Sequence, residues 1–248
     1  MNPFVLLLVP VSQNACETLV KRLLPISDVI STSESKPTWR ELIAKALSAG
    51  VDLQARGRSY PDVGPCGPFQ YVAFAAAVTE AEVNILSGNG CSDYALSDFS
   101  ETTILRSDVL LDTGKSLNPA IDIGQLRGGF IQGLGYFLTE KYVHNKKTGK
   151  LITDGTATYK PPSSKDIPII FNASLLPNST NPYGVQRSKF SGEPSIASAT
   201  SVFFAVRQAI AAAKSDRGDT KWFELNAPLT VDEVALTANV SSDMLNVP

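Results

Sequence analysis

Few side chains in this sequence combine reactive chemistry with a backbone that could aim them, and Glu193 is first among those that do. It stands in Ser188-Lys189-Phe190-Ser191-Gly192-Glu193-Pro194-Ser195. Gly192 permits close approach by another group, while Pro194 restricts Glu193 to an extended backbone and suits the first turn of a helix. A carboxylate placed this way has two readings. It is a helix-start residue, favoured by up to about 1 kcal/mol near the positive end of the dipole. Or it is a general base, held in an apolar site that raises its proton affinity toward the working pH. The residues alone leave both open.

Other chemistries are excluded more firmly. His144 is the only histidine, so neither a zinc site nor a Ser-His-Asp triad can be assembled. Cys16, Cys66 and Cys91 are odd in number and far apart, which gives no disulfide framework and no close-spaced metal or cluster ligands. A reducing, cytoplasmic setting is the default for such a chain. Net charge is −2, and no basic run exceeds Lys146-Lys147, so no nucleic-acid partner is expected. Three Asn-x-Ser/Thr tripeptides, at Asn172, Asn178 and Asn239, are close to the roughly one or two that chance supplies. The apolar run from Pro3 to Val11 is far shorter than the roughly 20 residues that span a bilayer and lacks a charged leader. It reads as a buried strand or a replaced N-terminus, and no membrane partner is expected.

The elements that would position Glu193 can be read from periodicity. Asn118-Pro119 opens a helix with Ala120, Ile123, Leu126, Phe130, Leu134 and Phe137 at helical spacing. Gly124, Gly128, Gly129, Gly133 and Gly135 lie inside it, and each interior glycine costs about 1 kcal/mol relative to alanine. Close packing against another helix or a sheet would offset that cost. A dinucleotide loop fits poorly, since the glycines lie within the helix rather than before it. A second long helix follows Pro194 to Lys214, with Ile196, Ala199, Phe203, Val206, Ile210 and Ala213 on its apolar stripe.

Two shorter helices are predicted near the start, with capping boxes at Asn14–Glu17 and Thr38–Glu41; the first buries Cys16, Leu19, Leu23 and Leu24 and ends near Leu24. Strands are expected at Val51–Arg56, at a pair formed by Phe69–Val78 and Ala81–Leu86, at one supplied by Leu105 and Val109–Leu111, at Pro168–Leu176 and at Trp222–Leu225. Tyr142–Ile152 reads as a hairpin with His144 at the surface, and Thr230–Glu233 as the cap of a last short helix. The fold class is α+β: mixed, largely antiparallel strands with two long helices at about 119–138 and 194–214.

Ser188-Lys189-Phe190-Ser191-Gly192-Glu193-Pro194 resembles the active-site segment of the molybdenum hydroxylases, the aldehyde oxidase and xanthine dehydrogenase family. Leu111-Asp-Thr-Gly-Lys-Ser-Leu-Asn-Pro-Ala-Ile-Asp-Ile-Gly-Gln-Leu-Arg-Gly-Gly-Phe-Ile-Gln-Gly-Leu-Gly135 resembles its glycine-rich helix segment, in the same order. The similarity runs from about Ala15 to Asn239, is closest in flavour to animal-type aldehyde oxidase, and corresponds to the C-terminal part of a far larger enzyme. The resemblance implies the second molybdopterin-binding subdomain, with Glu193 as the base, Gln125 hydrogen-bonded to the pterin, and Ser191 and Gly192 as cofactor contacts beside it. No protein side chain is implied as a molybdenum ligand. Departures include Ala157 and Thr158, where the family carries Trp and Glu, and Ser191, where an aliphatic residue is usual.

The organisation implied is an atypical N-terminus at 1–13, a molybdopterin-binding domain at 14–240 with an inserted loop at 89–100, and a tail at 241–248. Iron–sulfur and FAD sites are not expected in this chain. The function implied is the cofactor-binding domain of an oxidoreductase that hydroxylates small aldehydes or N-heterocycles with water as oxygen source, inactive as an isolated chain. The alternative is a non-catalytic remnant that acts as a binding or dimerisation module, as a homodimer or with a full-length paralogue.

Overall fold

The computed structural model describes residues 3–31, 36–58, 71–85 and 102–239, with side chains from residue 11 onward. The expected insert at 89–100, the loop at 60–68 and the tail from Ser241 lie outside the described residues. The chain divides into two compact units, residues 1–72 with 181–188, and residues 73–180 with 189–248.

In the first unit, α1 (Pro3–Ile30) replaces the strand expected at the N-terminus and runs past Pro25, where a helix end was expected. It closes at Ser31, whose N–H and hydroxyl both reach the Ser27 carbonyl at 2.9 and 2.7 Å. Asn14 is thus mid-helix and caps nothing; its side-chain amide donates to the Arg58 carbonyl at 2.8 Å. Leu23 is buried, but Cys16 is exposed and Leu24 is 52% exposed, so the inward face is rotated from the one read in the sequence. Helix α2 (Trp39–Ser48) carries the predicted capping box, Thr38 and Glu41 each bonding the other's backbone N–H. Val51–Arg56 alternates in burial as expected yet belongs to no strand. Arg22 of α1 instead donates to the carbonyls of Asp52 and Gln54 at 2.9 and 2.7 Å, which ties the segment to a helix.

The second unit is a three-stranded mixed sheet covered by helices. Strand β1 (Ala75–Val83) pairs antiparallel with β2 (Thr102–Leu111), and β2 pairs parallel with β3 (Ile170–Leu175). The pair of strands expected to turn at Thr79-Glu80 is one strand. Thr79 stays in it because its hydroxyl is satisfied, by Ser107 at 3.1 Å and Ser201 at 2.8 Å. The pairing passes from Glu80–Arg106 to Ala81–Ile104, leaving Leu105 as an extra residue. That bulge keeps Ile104 on the same face as Ser107, Val109 and Leu111, where a regular strand would turn it outward.

Helix α3 (Pro119–Leu134) starts at Asn118, whose side chain accepts from the N–H groups of Ala120 and Ile121, and it ends in a π-helical turn, Gly135–Thr139. The expected helix at 194–214 is two: α4 (Gly192–Ser198) and α5 (Thr200–Ser215). The cause lies in its hydroxyls. Ser195, Ser198 and Thr200 donate back to the carbonyls of Ser191, Ser195 and Ala197 at 2.6, 2.7 and 2.7 Å, and such back-bonding bends helices. By length and composition Gly192–Ser215 could cross a bilayer, but Val202, Val206 and Ile210 are fully buried against the sheet and α3. Phe130 of α3 meets Phe171 of β3 with ring centroids 5.0 Å apart. The Tyr142–Ile152 hairpin forms, with His144 exposed opposite Leu151. Trp222–Leu225 is irregular rather than a strand. Helix α6 (Val231–Thr237) follows Thr230, whose side chain makes no bond to the helix backbone; its hydroxyl donates instead to Asp232.

Candidate functional site

The glycines of α3 divide into two sets with opposite surroundings. A methyl group on Gly129 would lie 2.6 Å from the Gly192 carbonyl oxygen, and one on Gly133 would lie 2.5 Å from both Ala199 Cβ and the Ile196 carbonyl oxygen. These two, one turn apart, let α4 lie directly on α3, as helix packing requires. Gly124 and Gly128 meet nothing within 4 Å. Together with Ile121 and Gln125 they make an exposed face of α3 where the backbone is bare.

Gln125 and the Glu193 segment come together on that side. A methyl group on Gly192 would sit 3.6 Å from Gln125 Nε2, so the amide lies over the first residue of α4. Glu193 follows, and its side chain is exposed. Helical geometry accounts for this: α4 buries Ser195 and Ala199, and two residues before Ser195 is roughly the opposite side of a helix. Ser191 is 1% exposed; its hydroxyl donates to Asp122 Oδ1 at 3.1 Å and its carbonyl accepts from Ser195. It fastens the loop from within.

Three further residues shape this region. Lys189 and Asp112 form an ion pair at 2.5 Å with side chains only 9% and 7% exposed. Burial pushes the Asp112 carboxyl up, but hydrogen bonds from Lys189, Ser179 and the Gly114 N–H outweigh it and hold the group below the ordinary carboxylate range. Asp122 takes the Ser116 hydroxyl at 2.6 Å on its other oxygen. All three stand in the two segments that carry the resemblance, but a pairing across 77 residues has no local signal in a sequence. A groove of about 490 Å³ bordered by Thr113, Lys115, Ile123 and Leu176 is lined by none of Gln125, Ser191, Gly192 or Glu193. Among the described residues no group of three His, Cys, Asp or Glu side chains could hold a metal ion.

Residues 11–168 match the molybdopterin cofactor-binding domain family. The chain belongs to that family. It is 39% identical over 227 residues to indole-3-acetaldehyde oxidase of Arabidopsis thaliana, covering 88% of this chain and 16% of that one. Xanthine dehydrogenase of Dictyostelium discoideum and xanthine dehydrogenase/oxidase of Rattus norvegicus are each 37% identical over 231 residues, 89% of this chain and 16% of theirs. Plant aldehyde oxidases and the xanthine dehydrogenases stand at similar distances, so these identities do not single out an animal-type branch. The fold agrees with the reconstituted CO dehydrogenase of Oligotropha carboxidovorans, with a TM-score of 0.61, 16% identity, and coverage of 90% of this chain and 27% of that chain. It also agrees with the aldehyde oxidoreductase of Desulfovibrio desulfuricans, at 0.59 and 18% over 91% of this chain and 22% of that one. The chain is a molybdopterin-binding domain homologous to aldehyde oxidase and xanthine dehydrogenase, and spans about 16% of the length of those curated relatives.

Proposed function

We propose that the exposed face of α3, with Gln125 at its centre and Glu193 beside it, forms one wall of a molybdopterin site in an oxidoreductase acting on small aldehydes or N-heterocycles. One observation supports it above the rest: Gly124 and Gly128 flank an amide that lies over Gly192. The close packing that explains Gly129 and Gly133 does not explain these two. Bare backbone admits a flat ring to van der Waals distance, and a carboxamide can donate to and accept from a pterin edge at once. Gly192 leaves the space over which that amide lies, and Ser191 holds Gly192 in place. Glu193, exposed next to them, is positioned to accept and return a proton at its carboxylate. When bound, the cofactor would supply the oxygen-transfer and redox chemistry that hydroxylates an electron-poor carbon with water as the oxygen source. We place the protein in the cytoplasm, as the reducing default for scattered cysteines suggests.

The test is expression in a host that makes the cofactor, followed by molybdenum and pterin analysis of the purified chain. Wild-type protein should retain both, while Gln125→Leu and Gly128→Val should lose at least fivefold with unchanged circular dichroism. Equal cofactor content in all three proteins would overturn the reading. Glu193→Gln should keep the cofactor, since its part is proton transfer.

A second reading, a binding or dimerisation module, draws on the outer face of the sheet. Val78, Leu110 and Ile170 there are 72%, 37% and 49% exposed. Co-elution with a full-length relative, at unchanged metal content, would favour it.

A further inference from the structure

We propose that Asp112 and Asp122 are positioning residues for Glu193: the two acids fasten residues 189–191 from opposite ends of one connection and so set where Glu193 stands relative to Gln125. The inference rests on the reading of Gln125 and Glu193 given above. Asp112 directly follows β2, and Asp122 lies in the first turn of α3. Lys189 Nζ donates to Asp112 Oδ2 at 2.5 Å, and its backbone N–H donates to the Thr113 carbonyl at 2.8 Å. Asp112 Oδ1 is engaged by the Gly114 N–H at 2.9 Å and by the Ser179 hydroxyl. The ammonium of Lys189 also lies 5.4 Å from the Phe74 ring centroid. Two residues on, Ser191 donates to Asp122 Oδ1, while Ser116 occupies Oδ2.

The chain therefore meets the β2–α3 connection at two points before it enters α4. Asp122 is one helical turn before Gln125, and Ser191 is two residues before Glu193. A single rigid reference thus fixes both partners of the proposed site. Stability alone does not account for a buried ion pair, because well-packed apolar residues of similar volume serve as well or better. What the pair adds is direction, since Asp112 accepts only from donors placed around it and Lys189 must extend to reach it. Lys189 Nζ faces the carboxylate of Asp112, just after β2, and the ring of Phe74, just before β1.

The test uses the full chain without cofactor, so it reads geometry rather than turnover. In the wild-type protein the Gln125 side-chain amide protons should show a nuclear Overhauser contact to the Gly192 α-protons, and the Lys189 amide, which donates to the Thr113 carbonyl, should be protected from hydrogen exchange. The paired variant Asp112→Leu/Lys189→Met should stay folded by circular dichroism, with a lower urea midpoint because the Gly114 N–H and the Ser179 hydroxyl lose their acceptor. The Gln125–Gly192 contact should vanish, and exchange of the residue-189 amide should rise at least tenfold. Lys189→Arg alone, which keeps the charge pair with Asp112, should leave both at wild-type values. Ser191→Ala, which removes a single hydrogen bond and leaves the core untouched, should raise the same exchange about threefold. An unchanged contact and unchanged exchange in the paired variant and in Ser191→Ala would overturn the proposal. A changed contact in a chain that binds no molybdenum even as wild type would keep the positioning role and remove the pterin reading, so the two can fail separately.

Discussion

Replacing each glycine of α3 by alanine in turn should give effects of opposite sign within one helix. At Gly124 and Gly128 the new methyl group enters open space. The only change is then the helix propensity of alanine over glycine, a gain of about 0.5–1 kcal/mol at each position. At Gly133 the same methyl group would lie 2.5 Å from Ala199 Cβ and from the Ile196 carbonyl oxygen, and at Gly129 it would lie 2.6 Å from the Gly192 oxygen. Backbone atoms of a packed helix cannot rotate away, so α4 must lift from α3. Overpacking of that kind costs about 1–3 kcal/mol, against the same gain of up to about 1. Gly133→Ala should therefore lose about 1–2 kcal/mol net, and the two classes should differ by about 2 kcal/mol, or roughly 4–8 °C in Tm for a unit of this size. Urea midpoints at constant slope would measure it. Gly128→Ala should at the same time lower cofactor retention while raising stability, a combination that a purely structural glycine cannot produce. If Gly128→Ala melted below wild type by as much as Gly133→Ala, the outer face of α3 would not be open, and the argument for a ligand there would fall.

Other outcomes follow from single contacts. Because the Asp112 carboxyl is held below its ordinary range, its stabilisation is complete above the unfolded value of about 3.9 and is lost as pH falls through the lower folded value. Protection of the Lys189 amide should thus persist at pH 4 and fail below it, and Asp112→Asn should abolish that acid transition in an exchange profile. Lys141 has the opposite sign. Partial burial lowers its proton affinity, but the hydrogen bond to Glu233 and the charge of Asp232 more than offset this, so their contribution is whole below about 10.4 and fades as pH rises through the raised folded value. Alkaline melting curves of Lys141→Met should lack that final loss. Thr38→Ala removes one half of the capping box and should destabilise α2 by about 1 kcal/mol, read as faster exchange confined to residues 39–48. Phe130→Ala empties a fully buried site against Phe171 and should cost about 3–5 kcal/mol in a chemical denaturation experiment.

Much of this protein was legible in its order of residues, for reasons that are local. Asn118-Pro119 started a helix because an Asx side chain and a proline at the first turn act on their immediate neighbours, and Thr38 with Glu41 capped another for the same reason. The Asn145–Gly149 hairpin tip, the strands ending at Leu111 and at Pro168–Leu176, and the two motifs that marked the family were likewise written in short stretches, whereas the parallel pairing of β2 with β3 was not. Readings failed where a distant partner overrode the local pattern. Thr79 looked like a turn until hydroxyls at 107 and 201 satisfied it inside a strand, and Val51–Arg56 alternated like a strand while Arg22 held it to a helix. The helix after Pro194 was apolar enough to run unbroken, yet back-bonded hydroxyls divided it at Ala199.

The amino-acid sequence by itself determined which residues could do chemistry and in what order they come. Tertiary structure alone decided which glycines of α3 touch a helix and which face open space, because side-chain spacing along a helix does not say what is packed against it. It also decided that Asp112 meets Lys189 and that Gln125 lies over Gly192. Those pairings depend on how β2, α3 and α4 are stacked, and that stacking is set by the buried apolar surface of the whole unit rather than by any single segment.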